Sequence, residues 1–193
     1  MTRDIDVRRA LRRCVRAEFS SDAGTLILDE LAILDGDGRA DLAVVNGQLH
    51  GYEIKSDADT LDRLPGQVAA YNAVFDRITL VAGTRHASKA FAMVPEWWGL
   101  VTAISQGRRV VLRRERAAGE NALVSPLALA DLLWRDEVMA VLKARCGGHG
   151  MSGHPRPLLR KLLASLMPLE ELRAVVRSAL RERKDWRPEA VRT

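Results

Sequence analysis

Three strand-like runs in close succession constrain the fold of this chain more than any other feature of its sequence. The runs cover Thr25–Leu34, Arg39–Val45 and Gln48–Ser56, and most of their residues are apolar. The segments between them, Asp-Gly-Asp-Gly at 35–38 and Asn46-Gly47, are typical of tight turns between antiparallel strands. The sequence therefore predicts two consecutive β-hairpins near its N-terminal end.

Helical and strand-like patterns alternate around these hairpins. Apolar residues at helical spacing predict a first helix over residues 4–18, and further helices are predicted over 60–74 and 86–93. Short apolar or basic runs predict three more strands, at Arg77–Gly83, Gly99–Ile104 and Arg108–Arg114. Alternation of this kind is typical of an α/β fold with a mixed central sheet.

The second of these helices has two candidate N-caps and a proline near its start. Asp59 or Thr60 is the expected N-cap, because short polar side chains can accept the unpaired backbone N–H groups of a first turn. Pro65 then falls inside the first half of the predicted helix, where it removes a backbone donor.

From Ser125 onward the pattern is helical. One amphipathic helix is predicted to begin at Ser125-Pro126 and to continue to Leu142. A segment rich in Gly, His and Pro follows at 147–157, and two further helices are expected over 158–166 and 169–183. We therefore divide the chain into an α/β core over 1–120 and an α-helical C-terminal region over 121–193.

Composition excludes several classes of protein. No apolar run approaches the roughly 20 residues that a membrane-spanning helix needs, and no hydrophobic signal segment is visible at the N-terminus. The two cysteines, Cys14 and Cys146, are too few for a disulfide scaffold and lack metal-ligand spacing. We expect a cytoplasmic protein with no membrane partner.

Charge is distributed unevenly along the chain, although the net charge is only +5. Residues 21–100 carry twelve acidic and six basic side chains, whereas basic side chains predominate on both flanks. An acidic centre between basic flanks is typical of a cation site framed by a polyanion-binding surface. Solvated helix faces produce the same counts, so charge alone leaves both interpretations open.

Two carboxylates near the second turn are the candidate cation ligands. A two-residue turn at Asn46-Gly47 would set Asp41 across from Tyr52 and would put Glu53 on the opposite face of the sheet. A three-residue loop, with Gly47 in the left-handed conformation of a bulge, would instead set Asp41 across from Glu53. We predict the three-residue loop, because only that register allows the two carboxylates to share a site.

The chemistry of such a site follows from its donors. Two carboxylates with open positions suit Mg²⁺, which prefers oxygen ligands and retains several waters. Lys55 points to the same face as Glu53, because side chains alternate along a strand. A metal ion beside a lysine ammonium can activate a water and stabilise the charge that develops on a phosphodiester.

These residues also carry a family resemblance. Asp41 followed by Glu53-Ile54-Lys55 resembles the PD-(D/E)XK nuclease motif, although Ala40 stands where the motif has Pro. Gln67-Val-Ala-Ala-Tyr71 is similar to the Gln-x-x-x-Tyr motif of RecB-like nucleases in that superfamily. The strings at 51–65 and 94–99, with the helical C-terminus, resemble an uncharacterised bacterial branch.

The resemblance implies a restriction-endonuclease-like αβββαβ core, a Mg²⁺ or Mn²⁺ cofactor and a DNA substrate. It implies that Asp41, Glu53 and the backbone carbonyl of Ile54 hold the metal and that Lys55 is the catalytic lysine. Two helix-borne residues would face the site or, alternatively, pack the helix on the sheet: Gln67 and Tyr71.

Glu30 matches the acidic residue that some relatives supply from the first helix or strand. An unpaired charge would be costly in this otherwise apolar strand. Glu30 is therefore either a further metal ligand with a catalytic role or the partner of Arg39 across the first hairpin.

We expect a metal-dependent DNA nuclease that acts in DNA repair, defence or mobile-element processing. The basic N-terminal helix, the 108–116 segment and the C-terminal helices would contact the DNA backbone. The alternative is a catalytically inactive DNA-binding or protein-docking module on the same fold. A homodimer and a protein partner bound through the C-terminal helices are both left open.

Overall fold

A six-stranded mixed sheet forms the centre of the computed structural model, which describes residues 1–107, 109–147 and 150–184. Its strands lie in the order in which they occur along the chain. The pairs β1–β2, β2–β3 and β5–β6 are antiparallel, whereas β3–β4 and β4–β5 are parallel. The strands are β1 Leu26–Ile33, β2 Gly38–Val45, β3 Leu49–Lys55, β4 Arg77–Gly83, β5 Gly99–Gln106 and β6 Arg109–Arg116.

Seven helices accompany the sheet in the described part of the chain, which confirms the predicted α/β class. They are α1 Asp4–Glu18, α2 Leu64–Val74, α3 Ala87–Ala92, α4 Pro126–Ala130, α5 Arg135–Cys146, α6 Arg156–Leu166 and α7 Leu169–Glu182. None of the helices in the described ranges is long and apolar enough to cross a membrane. Cys14 and Cys146 are both exposed and carry free thiols.

Helix α1 covers one face of the sheet. Its buried stripe, Val7, Leu11 and Val15, packs with Tyr52 and Ile54 in an apolar cluster on that face. The apolar residues recur at helical spacing, which is why the sequence predicts the bounds of this helix correctly.

The opposite face is covered by α2 and the C-terminal helices, which share one apolar core. Tyr71 of α2 and Trp98 lie in the same buried cluster as Leu159 of α6 and Leu172 of α7. The C-terminal region therefore contributes to the core of the sheet as well as covering its surface.

The predicted helix from 125 to 142 is wrong in one respect, because the structure divides it into α4 and α5. The backbone N–H of Trp134 donates to the Glu137 carboxylate at 2.7 Å, and this contact begins a second helix. The guanidinium of Arg160 accompanies the break by donating to the backbone carbonyls of Asp131 and Leu133.

The turn between β2 and β3 has the predicted length. Leu42 lies opposite Tyr52 and the pairing continues in that register to the turn, which leaves a three-residue loop at 46–48. The pairing ends at Leu42 and Tyr52, so Asp41 and Glu53 lie one position beyond the last pair. Ala40 packs in the apolar cluster on the α2 side of the sheet and Leu42 in the cluster on the α1 side, so the side-chain alternation of β2 is interrupted at Asp41. That the two carboxylates share a site stays a prediction.

The conformation of this loop differs from the prediction. Gly47 does not have the positive φ expected of a bulge glycine. The Asn46 side chain closes the loop instead, since its Oδ1 accepts from the backbone N–H of Gln48 at 3.0 Å. An Asx-type turn therefore replaces the left-handed glycine.

The N-cap predicted for α2 is also wrong. Asp59 accepts from both the backbone N–H and the hydroxyl of Ser56 at 2.7 Å, so it stabilises the turn after β3. Helix α2 begins later, at Leu64, and Pro65 lies in its first turn. A proline is compatible with this position because the first backbone N–H groups of a helix have no intrahelical acceptor.

Candidate active site

A cavity of about 750 Å³ opens where β2 and β3 separate. It is bounded by the β1–β2 turn, the ends of β2 and β3, the loop after β3 and the first turns of α2. Five of the residues predicted from the sequence line it: Asp41, Glu53, Ile54, Lys55 and Gln67.

A buried ion pair lies at the floor of this cavity. Nζ of Lys55 is 2.7 Å from Oε1 of Glu53, and the two side chains are only 5% and 1% exposed. Lys55 also donates to Oε1 of Gln67 at 2.7 Å. The ammonium is therefore held between a strand carboxylate and a helix amide.

Tyr71 lies one helical turn after Gln67 and contacts the Glu53 carboxylate of the Glu53–Lys55 ion pair. Its phenol donates to Oε2 of Glu53 at 2.7 Å and lies 3.2 Å from the backbone N–H of Asp41, from which it accepts. The ring packs tilted against Phe75, with centroids 5.1 Å apart. The two interpretations of Tyr71 thus hold together, because its ring packs in the core while its hydroxyl faces the carboxylates.

Both oxygens of the Asp41 carboxylate have donors. Oδ2 accepts from the backbone N–H of Ile54 at 2.7 Å, which ties the end of β2 to β3. Oδ1 accepts from the guanidinium of Arg8 at 2.9 Å, and Arg8 also donates to the Asp41 backbone carbonyl at 2.6 Å.

Sequence reasoning missed Arg8 as a site residue and assigned it to the basic outer face of α1. The available signal was its place beside Val7, at the border of the buried stripe of the helix. From there its side chain extends over the end of the sheet to Asp41, and it is only 18% exposed.

Burial raises the pKa of both carboxyl groups. The pKa of Glu53 is raised to about 7, first by burial and then by the neighbouring Asp41, while Lys55 and Tyr71 act in the opposite direction. Burial also raises the pKa of Asp41, against the lowering effect of the Ile54 N–H and Arg8. The pKa of Tyr71 lies well above its usual value because the ring is buried, so the phenol keeps its proton.

Glu30 is placed differently from the other candidate residues. Its carboxylate pairs with Arg39 on one oxygen and with Arg8 on the other, at 2.6 Å for the latter. The sequence left two interpretations of Glu30, a metal ligand or a partner of Arg39 across the first hairpin, and the ion pair with Arg39 is present. Glu30 has a left-handed backbone, with φ of 56°, and is linked to Asp41 through Arg8.

The donors present are compatible with one Mg²⁺. Oε1 of Glu53 is buried with no aligned hydrogen-bond donor in the described part of the chain, although Lys55 is close. Each oxygen of Asp41 accepts one hydrogen bond, which leaves a second lone pair. Within the described ranges no group of three His, Cys, Asp or Glu residues forms a metal cage. Mg²⁺ does not require one, because it is commonly bound through one or two carboxylates and several waters.

The basic flanks are only partly exposed. Arg9, Arg13 and Arg16 lie on the exposed side of α1, and Arg109 and Arg113 are exposed on the edge strand β6. Arg108 lies outside the described residues.

Several C-terminal arginines are occupied within the protein. Arg173 and Arg177 both pair with Asp76, and Arg183 pairs with Glu137. The C-terminal helices therefore present fewer unpaired arginines in the described residues than the sequence counts suggest.

The chain resembles known phage proteins over most of its length. The family model described as "Bacteriophage P4 protein cII" matches residues 8–190. The protein named "Protein cII" of Enterobacteria phage P4 is 27% identical over 157 residues, which is 81% of this chain and 59% of that protein. The chain thus spans a little over half the length of this relative, 59%. No solved structure matches the chain. Since the family model covers nearly the entire sequence, the chain belongs to the bacteriophage P4 protein cII family.

Proposed function

We propose that this protein is a Mg²⁺- or Mn²⁺-dependent nuclease that hydrolyses DNA phosphodiester bonds. One observation carries the proposal: a single cavity contains Asp41, Glu53 and Lys55, with Gln67 and Tyr71 hydrogen-bonded to the ion pair. The order α1, β1–β3, α2, β4 agrees with a restriction-endonuclease-like αβββαβ core.

The metal would be held by Asp41, Glu53 and the backbone carbonyl of Ile54. When bound, such an ion lowers the pKa of a coordinated water and polarises a phosphodiester oxygen. Oε1 of Glu53 is buried and lies 2.7 Å from the Lys55 ammonium, so a metal ion held there would share this oxygen with Lys55.

Lys55 would act on the reacting atoms themselves. An ammonium has three N–H donors, of which one donates to Gln67 while the Glu53 carboxylate lies 2.7 Å away as an ion-pair partner. A further N–H can donate to the attacking water or to the phosphate oxygen on which charge develops. Because Lys55 is buried and held on two sides, little reorganisation is needed during the reaction.

Gln67 and Tyr71 are positioning residues in this mechanism. Gln67 fixes the direction of the Lys55 ammonium through its amide oxygen. Tyr71 fixes Oε2 of Glu53 and so determines how its other oxygen is presented to the cavity. Their spacing of one helical turn brings both side chains to the same face of α2.

The cavity rim and α1 would bind the DNA backbone. Arg63 is exposed at the rim, and further arginines lie exposed on α1. Contacts of this kind fix the position of DNA without reading its sequence. Of DNA repair, defence and mobile-element processing, the similarity to a bacteriophage protein favours the last.

A cleavage panel tests the proposal. Single-stranded, duplex and branched DNA are incubated with the protein and Mg²⁺ or Mn²⁺, and Lys55→Ala is compared with Lys89→Ala. Lys89 is exposed on α3 and does not line the cavity, so its variant should cut as the wild type does. We expect cleavage that Lys55→Ala abolishes. Salt-sensitive DNA binding without cleavage under any condition would instead support the inactive binding module.

A further inference from the structure

Arg8 is in contact with three carboxylates at the edge of the cavity. Its guanidinium lies 2.6 Å from Glu30, 2.9 Å from Asp41 and 3.3 Å from Asp4. Glu30 and Asp41 lie between the paired positions Asp29–Leu42 and Leu31–Ala40 of β1 and β2, so the guanidinium bridges two strands. A planar guanidinium suits this role because its donors form a rigid fork.

The position of this bridge is the position that a second cation would need. A carboxylate pair shared by two strands next to a metal ligand is a natural site for another divalent ion. Here Oδ1 of Asp41 and Oε1 of Glu30 are bound by Arg8, and Oε2 of Glu30 is bound by Arg39. The positive φ of Glu30 interrupts the strand conformation at the point where its carboxylate meets these two arginines.

We infer that Arg8 takes the place of a second divalent cation, so that each chain binds a single catalytic metal ion. The inference rests on the proposed nuclease function and specifies the metal stoichiometry of that site. Arginine keeps its charge at every relevant pH, so the substitution for a metal is permanent.

The ion pairs around Arg8 favour one ion. Asp4 is half-exposed and screened by water. Three carboxylates and three cations make up the ion pairs at this end of the sheet: Glu30, Asp41 and Glu53 with Arg8, Arg39 and Lys55. The cavity lining also contains Asp37, Asp59, Asp62 and Arg63, which take no part in these pairs. Within the ion-paired group, a first divalent ion already gives a positive excess. Without Arg8 the group has a net negative charge, and Glu30 and Asp41 each gain an oxygen for a metal.

Counting bound Mn²⁺ tests the inference without an activity assay. The electron paramagnetic resonance signal of free Mn²⁺ is followed as the ion is titrated into the protein, and bound ions per chain are obtained at saturation. The variants are Arg8→Ala and Arg8→Gln, the second of which keeps a hydrogen-bonding side chain. Arg12→Ala is the matched control, because Arg12 lies one turn further along α1 and pairs with Asp29.

We expect one ion for the wild type and for Arg12→Ala, and two ions for at least one folded Arg8 variant. The double variant Arg8→Ala with Glu30→Ala should return to one ion, because Glu30 supplies the second site. Two ions in the wild type, or one ion in both folded Arg8 variants, would overturn the inference and leave the nuclease proposal intact. A wild-type protein that binds no Mn²⁺ would contradict the proposed function itself.

Discussion

The phenol of Tyr71 donates a 2.7 Å hydrogen bond to Oε2 of Glu53, and both residues are buried, at about 1% exposed. The same hydroxyl meets the backbone N–H of Asp41. One helix-borne atom therefore connects the two strands that carry the proposed metal ligands.

Replacing Tyr71 by Phe should reduce cleavage and stability together. The variant keeps the ring that packs on Phe75 but leaves Oε2 of Glu53 without its donor, at a cost of about 1–3 kcal/mol for a buried group. We expect a loss of roughly tenfold or more in kcat, because such a loss of positioning energy corresponds to a factor of about ten per 1.4 kcal/mol. Chemical denaturation and single-turnover cleavage measure the two effects.

Tyr52→Phe is the matched control for this variant. Tyr52 lies on the opposite face of the sheet, and its hydroxyl contacts His50 at 3.5 Å. Its removal should leave the cleavage rate within about twofold of the wild type, since a contact of that length is worth little. Equal losses of activity in the two variants would contradict a specific role for the Tyr71 hydroxyl.

Glu53 should destabilise the metal-free protein at alkaline pH. Its pKa is about 7 in the folded chain, against the usual 4.5, so the folded state holds a proton that the unfolded state releases. The resulting stability is present below about pH 4.5 and is lost as the pH rises through 7. At pH 8 in EDTA, Glu53→Gln should lose less stability relative to pH 5 than the wild type does, because the glutamine has no proton to release.

Divalent cations provide the control for this prediction. Mg²⁺ should raise the melting temperature of the wild type at pH 8, because binding to the folded state stabilises it. The same addition should have a much smaller effect on Glu53→Gln, which lacks a charged ligand. Equal losses of unfolding free energy between pH 5 and pH 8 in EDTA for the variant and the wild type would contradict the raised pKa of Glu53.

The turn between β2 and β3 shows what sequence could predict about the site. The turn length was enough to predict the register in which Leu42 faces Tyr52, with Asp41 and Glu53 one position beyond this pair. The i, i+4 spacing of Gln67 and Tyr71 was enough to place them on one helix face. These relations are local, since each depends on a strand period, a helix period or a loop of a few residues.

Arg8 and the break between α4 and α5 depend on distant partners and could not be predicted in this way. Arg8 is directed inward by Glu30 and Asp41, which follow it by more than twenty residues. The apolar pattern continues through 131–134, and the freed carbonyls there are bound by Arg160 from α6. A helix pattern contains no information about such acceptors.

His50 should make the stability of the protein fall in acid. Its ring is buried beside Arg77 and Arg114, which lowers its pKa from 6.5 to about 3, and it shares a 2.9 Å hydrogen bond with Thr79. The unfolded chain therefore binds a proton below pH 6.5 that the folded chain excludes until about pH 3. His50→Gln should flatten the decline of unfolding free energy between these values, by about 1 kcal/mol per pH unit. Urea denaturation at several pH values gives the slope, and an unchanged slope would contradict the neutral, buried state of His50.

Arg160 should be among the most important charged residues for stability. Its side chain is fully buried in α6, where it pairs with Asp131 at 3.1 Å and with Asp35 in the turn after β1. Arg160→Met leaves the Asp131 carboxylate and nearby backbone carbonyls without this donor, and removing one partner of a buried pair costs about 3–5 kcal/mol. Because Asp35 has a left-handed backbone, with φ of 55°, loss of the contact should also loosen the turn that borders the cavity.

Arg156→Met is the control, since Arg156 is 45% exposed and lies 3.6 Å from Asp35, a pair worth about 1 kcal/mol at most. Denaturation midpoints that fall equally in the two variants would show that the interior position of Arg160 adds nothing to its ion pair.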